Sequence, residues 1–209
     1  MTERVKPIYL FADSQLLFWR WQGKPFLLTL RNLVESQSVK AAYVGASNDN
    51  NPAYYGIFEA AMESIGVADC RMVSNSDITF VEQADLILLS GGDVEKGWRI
   101  FEQNGLKELL IQRYHEGVLL VGTSAGAVQL GMLGLVPYVI SAHDERDSWA
   151  DLKETIRRSE KPVRGIGIPT GAGMVYHADR TIEAIRYPLH QFSIDDGVIS
   201  EKIIVPKLV

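Results

Sequence analysis

The sequence contains a single cysteine, Cys70, among 209 residues. One thiol cannot form an internal disulfide, so we expect the chain to fold in a reducing compartment, and the cytoplasm is the predicted location. Cys70 stands where an apolar segment begins. This position indicates a small core residue rather than a nucleophile.

Long apolar runs and an excess of basic residues are also missing. No run approaches the ~18 residues that span a bilayer. The segment 1–7 lacks the basic and apolar regions of a secretory signal. Lys and Arg number 21 against 26 Asp and Glu, giving a net charge of −5. We therefore expect neither nucleic acid nor a membrane as partner.

The composition that remains is ordinary for a globular protein, with 46% hydrophobic and 22% charged residues. The length favours one large α/β domain over residues 1–209, because two domains would leave small cores. Apolar segments predict strands at 7–11, 40–44, 70–73, 85–89 and 117–121. Helical spacing predicts helices at 53–65, 98–103 and 106–115. This alternation predicts a mainly parallel central sheet covered by helices on both faces, a three-layer α/β/α fold.

The second half of the chain has a different pattern. A charged amphipathic helix is predicted at 147–158, and strands are predicted at 163–168 and 173–176. Residues 192–205 predict a C-terminal β-hairpin that turns at Asp195-Asp196-Gly197. No repeat or linker interrupts the sequence.

The run Gly122-Thr123-Ser124-Ala125-Gly126 directly follows an apolar strand and precedes a helix-compatible segment. This G-x-S-x-G order is typical of a nucleophile elbow, in which small residues allow a sharp strand-to-helix turn. The turn exposes the Ser124 hydroxyl and leaves the Ala125 N–H free to face a developing oxyanion. Small-residue turns also serve packing alone, so the motif by itself is a hypothesis.

A serine nucleophile needs a base, and the chain has four histidines, His115, His143, His177 and His190. A helix leaving the elbow and a strand returning would bring His143 back to Ser124. The turn at Gly91-Gly92 follows another buried strand, where Gly92 N–H offers a second oxyanion donor. Because ligands bind beyond the carboxyl ends of parallel strands, the polar loop 45–51 is expected on the same rim.

Taken together, these residues resemble the peptidase E (aspartyl dipeptidase) and cyanophycinase family of serine peptidases, which has a class I glutamine amidotransferase-like fold. The similarity lies in Leu86–Asp93, in Gly122–Ala127, in Gly131–Leu135 followed by His143, and in Gly165–Ile168. It implies Ser124 as nucleophile, His143 as base, and the N–H groups of Gly92 and Ala125 as the oxyanion hole. It also implies a small peptide or amino-acid-derived substrate.

The sequence departs from the family after Gly165–Ile168, where relatives usually carry Asp-Glu and this chain has Pro169-Thr170. A triad needs a third member that orients the imidazole and stabilises its charged form. Thr170 is the candidate orienting residue, although it supplies no charge. The carboxylates that could replace the missing acid are Asp144, Asp179 and Glu183.

Substrate contacts are predicted from polar residues near the expected rim, namely Ser47, Asn48, Asp93 and Arg146. A solvated surface role is the alternative for each of them. We expect no cofactor and no metal. A monomer and a homodimer both remain open.

Three functions follow from these residues. The first is a serine hydrolase that cleaves a small peptide or related amide through an acyl-enzyme on Ser124. The second is a catalytically impaired relative that binds peptides or small molecules, motivated by the missing acid. The third is a small α/β-hydrolase esterase using Ser124, Asp179 and His190, although no HGGG-type loop is present. A glutamine amidotransferase is disfavoured because the elbow carries serine rather than cysteine.

Overall fold

Short apolar segments of the chain form the strands of a large central sheet and of a smaller second sheet. The computed structural model describes residues 5–207. The expectation of no secretory signal rests on residues 1–7, of which residues 1–4 lie outside the described residues. The strands are β1 (Ile8–Phe11), β2 (Arg20–Trp21), β3 (Lys24–Pro25), β4 (Lys40–Val44), β5 (Asp69–Val73), β6 (Leu86–Leu89), β7 (Leu119–Thr123), β8 (Val139–Ala142), β9 (Gly165–Ile168), β10 (Gly173–Tyr176), β11 (Ile182–Ile185), β12 (Leu189–Asp195) and β13 (Val198–Ile204).

Seven α-helices connect these strands within residues 5–207. They are α1 (Gln15–Phe18), α2 (Leu27–Arg31), α3 (Pro52–Glu63), α4 (Val94–Asn104), α5 (Leu106–His115), α6 (Ala125–Met132) and α7 (Ala150–Arg158). Their ends follow local capping rules. Asn51 caps α3 by accepting a hydrogen bond from Ala53 N–H, with Pro52 in the first turn. Gly105, in the left-handed conformation, separates α4 from α5.

The central sheet has the strand order β11-β10-β1-β7-β6-β4-β5. The five strands from β1 to β5 in this order are parallel, whereas β10 and β11 are antiparallel additions at one side. Strand β1 lies beside β7, and Phe11 is paired with Thr123. The carboxyl ends of β1, β4, β6 and β7 therefore share one rim, as the sequence predicts for the last three.

Alternate residues of the central strands pack against helices on opposite faces of the sheet. One face, with Tyr9, Tyr43 and Leu88, packs against α1, α2 and α3. The other face, with Leu10, Leu89 and Leu120, packs against α4, α5 and α6. These two buried layers confirm the predicted three-layer α/β/α architecture.

The second sheet has the order β13-β12-β9-β8 and holds the predicted C-terminal hairpin, β12–β13. Strands β8 and β9 are parallel, and α7 covers this sheet through Trp149, Leu152 and Ile156. Helix α7 begins three residues later than the predicted start at Asp147, because Glu145–Asp147 form a short 3-10 turn. No helix among residues 5–207 is long and apolar enough to cross a membrane.

Candidate active site

Ser124 stands in a strained turn between β7 and α6. Its φ of 51° and ψ of −115° lie outside the regions that a serine ordinarily adopts. The Ser124 N–H donates a hydrogen bond to the Phe11 carbonyl at 2.9 Å, which ties the turn to β1. A Cβ on Gly126 would overlap the backbone of Leu89, so only glycine allows α6 to begin this close to the sheet. The turn from β7 into α6 at Ser124 is therefore sharp and strained, as a nucleophile elbow would require.

His143 lies beside Ser124, with its Nε2 atom 2.7 Å from the serine Oγ. The histidine directly follows β8 and has a positive φ of 50°. Its N–H donates to the Ile168 carbonyl at 2.9 Å, so β9 holds the turn that aims the ring. The strand that returns from the elbow region thus brings together the two residues that the sequence pairs as nucleophile and base.

Gly92 and Ala125, the predicted oxyanion donors, line a cavity together with Ser124. Ala125 is the first residue of α6, where an N–H has no acceptor within the helix. Gly92 has a φ of 138°, a conformation that L side chains rarely adopt. Among the described residues, no acceptor pairs with either N–H. Two donors in this position suit an oxyanion that develops on a carbonyl held by Ser124.

Ser47 and Asn48, two of the predicted substrate contacts, lie beneath this turn and line neither cavity at Ser124. The Ser47 carbonyl accepts the Asp93 N–H at 2.8 Å, and a Cβ on Gly92 would overlap the same carbonyl. The Asn48 Nδ2 group is 2.8 Å from the Gly91 carbonyl and 2.8 Å from the Ser90 hydroxyl. Both residues therefore support the Gly91-Gly92 turn from below.

Gln129 is a buried side chain that the sequence analysis does not single out. Its Nε2 group donates to the Ser47 hydroxyl at 2.9 Å and to the Val94 carbonyl at 3.1 Å. These bonds connect α6 with the loop under Gly92 and with the start of α4. The sequence signal that could have identified Gln129 is its position as the single amide in a helix of otherwise small and apolar residues.

Asp93 and Arg146, the other predicted substrate contacts, also lie outside the lining of both cavities at Ser124. The Asp93 carboxylate caps α4 by accepting the Lys96 N–H at 2.9 Å. Arg146 is exposed in the 3-10 turn after His143. Through this capping bond, Asp93 stabilises the start of α4.

Glu145, which the sequence analysis does not name, occupies the region where a triad acid is expected. Its Oε1 atom accepts the Thr170 N–H at 3.2 Å, while Oε2 is buried without a hydrogen-bond partner. Burial favours the neutral form of Glu145. Hydrogen bonds from Thr170 and the charge of His143 outweigh burial and hold the pKa of Glu145 below its ordinary value. Thr170, the predicted orienting residue, hydrogen-bonds Glu145 rather than the histidine ring.

The three carboxylates that the sequence analysis does name as candidate triad acids, Asp144, Asp179 and Glu183, have other surroundings. Burial raises the pKa of Asp144, and the charges of Asp147 and Asp151 raise it further. Asp179 accepts hydrogen bonds from Thr181, and Glu183 pairs with His177 at 3.2 Å. Among the described residues, no carboxylate hydrogen-bonds the His143 ring.

His190, the base of the esterase alternative, belongs to the second sheet. Its Nδ1 atom is 2.6 Å from Glu201 of the neighbouring strand β13. Asp179 accepts hydrogen bonds from Thr181 within its own turn. The structure does not assemble the Ser124, Asp179 and His190 set that this alternative requires.

Cys70 and the acidic residues supply no further reactive centre. Burial, followed by the charges of Glu59 and Asp69, raises the pKa of the Cys70 thiol to about 11. Such a thiol is a poor nucleophile near neutral pH. Within the described part of the chain, no cluster of His, Cys, Asp and Glu could hold a metal ion.

Two cavities are lined in part by Ser124 and His143. The first, of about 210 Å³, is named the α3 cavity and is lined by Asp13, Ser14, Leu17, Tyr43, Tyr54, Ile57, Phe58, Leu88, Ser90, Gly91, Gly92 and Thr123 together with the two site residues. The second, of about 550 Å³, is named the α7 cavity and includes Val94, Val128, Met132, Asp144, Asp151, Leu152 and Thr155. A substrate bound across both would place a bond at Ser124.

Comparisons with solved structures agree with the fold. A peptidase from an acI-B1 Actinobacterium has a similar structure, with a TM-score of 0.74 and 14% identity over 99% of this chain and 97% of that one. A putative peptidase E protein from Listeria monocytogenes EGD-e gives a TM-score of 0.61 and 16% identity over 87% of this chain and 98% of that one. No curated protein matches the sequence significantly.

A family model supplies the sequence-level evidence. The model of peptidase family S51 matches residues 24–146, which include the Gly91-Gly92 turn, the serine elbow and His143. The match covers more than half of the chain and confirms the resemblance drawn from the motifs. The chain belongs to peptidase family S51.

Proposed function

We propose that this protein is a serine peptidase that hydrolyses small peptides or related amides through an acyl-enzyme on Ser124. The observation that carries the proposal is the 2.7 Å approach of Ser124 Oγ to His143 Nε2 on a strained elbow. Backbone strain persists only where the surrounding fold enforces it, and it is common at reactive residues. Family membership supplies the peptidase class.

The chemistry begins when Ser124 Oγ attacks the substrate carbonyl and gives its proton to His143 Nε2. The negative charge on the tetrahedral carbonyl oxygen faces the N–H groups of Gly92 and Ala125. The carbon–nitrogen bond then breaks, and Nε2 returns the proton to the leaving amine. A water molecule attacks the remaining ester, loses its proton to Nε2, and releases the acid as Ser124 regains its hydrogen.

Glu145 is the proposed positioning residue for His143. When Nε2 accepts the serine proton, the ring carries positive charge, and a nearby carboxylate stabilises that state. Glu145 comes from the turn that follows His143 and is tied to Thr170, the position where relatives usually carry the acid. Its Oε2 atom is buried and unpaired, and the charge of His143 contributes to the lowered pKa of Glu145, which supports an interaction between the two side chains.

Labelling with a fluorophosphonate tests this function. We expect one label per chain at Ser124, loss of label and of peptide hydrolysis in Ser124→Ala, and normal labelling in Ser76→Ala, an exposed serine distant in sequence from the elbow. Labelling that persists in folded Ser124→Ala, or hydrolysis that survives it, would remove Ser124 from the mechanism.

A second candidate function is a binding protein without turnover. It is favoured because no carboxylate among residues 5–207 hydrogen-bonds His143. The two functions differ in one experiment. If peptides stabilise the folded protein against heat while neither product nor label forms from mildly acidic to mildly alkaline pH, the binding function is correct. Product formation at any of these pH values decides for the peptidase.

A further inference from the structure

The α3 cavity has the size and lining of a pocket for one apolar side chain. Its volume of about 210 Å³ holds about seven water molecules at ~30 Å³ each, which is enough for one large side chain. Leu17, Ile57 and Phe58 form apolar walls, and Tyr54 stands among them. Burial of an apolar side chain against such walls is favourable.

Asp13 is the one carboxylate that the described residues contribute to this cavity. Its oxygens accept the Gln15 N–H at 2.8 Å, the Gln15 Nε2 group at 3.2 Å and the Gly171 N–H at 2.8 Å. A carboxylate has about four acceptor positions, so one remains for a ligand. The three bonds also fix the carboxylate in place at the end of β1.

Neither cavity offers a cation to an acidic substrate. Within residues 5–207, no lysine or arginine stands in the lining of the α3 cavity or of the α7 cavity, and the α7 cavity instead includes Asp144 and Asp151. An acidic side chain would therefore meet fixed negative charge on whichever side of the cleaved bond it lay. Like charges brought together at a binding site disfavour that ligand strongly.

We propose that the α3 cavity selects peptides with an apolar or aromatic N-terminal residue, whose free amino group binds Asp13, and that it rejects N-terminal aspartate. The amino group and the side chain share one Cα, so a single residue satisfies both the carboxylate and the apolar walls. Asp13 and Ile57 are then specificity-determining residues. This inference rests on the proposed peptidase function.

Aminoacyl p-nitroanilides of leucine, phenylalanine and aspartate measure the selectivity. We expect kcat/KM for leucine or phenylalanine to exceed that for aspartate by at least about 100-fold, and N-acetylation of the leucine substrate to cost about tenfold or more. Ile57→Arg, a change on the partly exposed face of α3, should reduce the preference for leucine over aspartate.

Asp13→Asn provides the second variant, with Asp49→Asn as its control. Asp49 is an exposed carboxylate that pairs with Lys96 and lines neither cavity. The asparagine at position 13 should remove most of the difference between free and N-acetylated leucine substrates, whereas the control should retain that difference. An unchanged difference in folded Asp13→Asn would overturn the role of Asp13.

Thermal stabilisation by leucinamide and by aspartate α-amide separates this inference from the function on which it rests. Stronger stabilisation by leucinamide supports the pocket assignment even if no substrate is cleaved. Faster cleavage of the aspartate substrate, or stronger stabilisation by the aspartate amide, overturns the assignment and leaves the peptidase function intact.

Discussion

Replacement of Gly92 with alanine should lower both the stability and the activity of the protein. The glycine φ of 138° would strain an L-residue by about 1–3 kcal/mol. The added Cβ would also overlap the Ser47 carbonyl, and relief of such overpacking costs about 1–3 kcal/mol. The melting temperature of a chain of this size falls by about 2–4 °C per kcal/mol, so the combined cost of about 2–6 kcal/mol predicts a loss of roughly 4–24 °C.

The activity of Gly92→Ala should fall further than its stability indicates. Relief of the overlap moves residue 92 away from the loop under it, and the N–H group moves with it. Removal of one oxyanion donor costs about 10²–10³ in kcat, so we expect a decrease in this range at temperatures where the variant is folded.

Gly66→Ala is the matched control, measured by calorimetry and by peptide hydrolysis. Gly66 also has a positive φ, 76°, but a Cβ there meets nothing within 4 Å. The control should lose only the backbone contribution of about 1–2 kcal/mol and keep full activity. If both variants melt together and Gly92→Ala retains its kcat, the close approach to Ser47 and the oxyanion role of Gly92 are both refuted.

Other changes probe the supporting residues. Glu145→Gln should lower kcat by about tenfold or more and move the acidic limb of the pH–rate profile to lower pH by about one unit, because the ring loses a nearby negative charge; Asp147→Asn should change neither measurement. Since the pKa of Glu145 is depressed in the folded protein, its contribution to stability is present above the unfolded-state pKa and is lost as the pH falls through the folded-state value; acid titration of Glu145→Gln should lack this component. Gln129→Leu should destabilise the fold by about 1–3 kcal/mol in denaturant titrations, because it leaves the Ser47 hydroxyl unpaired, and should also lower kcat. Cys70 should react with iodoacetamide at pH 8 far more slowly than a free thiol, and Cys70→Ala should retain activity.

Sequence patterns sufficed for the five parallel strands of the central sheet and for the pairing of Ser124 with His143, whereas strand β11 and the antiparallel side of the sheet were not predicted. Continuous apolar strands and a small-residue turn are local signals, and parallel strands must end on a common rim. The second sheet was predicted only as separate strands and a hairpin. Its pairing of β8 with β9 and of β9 with β12 depends on tertiary contacts that short strands do not encode.

The supporting residues were harder to predict because their roles depend on the direction in which each side chain points. Three carboxylates follow His143 within four positions, and the 3-10 turn decides that Glu145, rather than Asp144, meets Thr170. Asn48 was predicted to contact substrate. Its amide instead donates a hydrogen bond to the Gly91 carbonyl beneath the rim. The sequence could not show this, because a polar loop that contacts substrate and a polar loop that supports a turn have the same composition.

The bond from Ser124 N–H to the Phe11 carbonyl has a consequence for biosynthesis. It joins the elbow to the first strand of the central sheet, while His143 depends on Ile168, a residue made later. A nascent chain that has passed Ser124 still lacks the strand that aims its base. For the proposed peptidase we therefore expect no hydrolysis by a nascent chain until β9 has emerged from the ribosome.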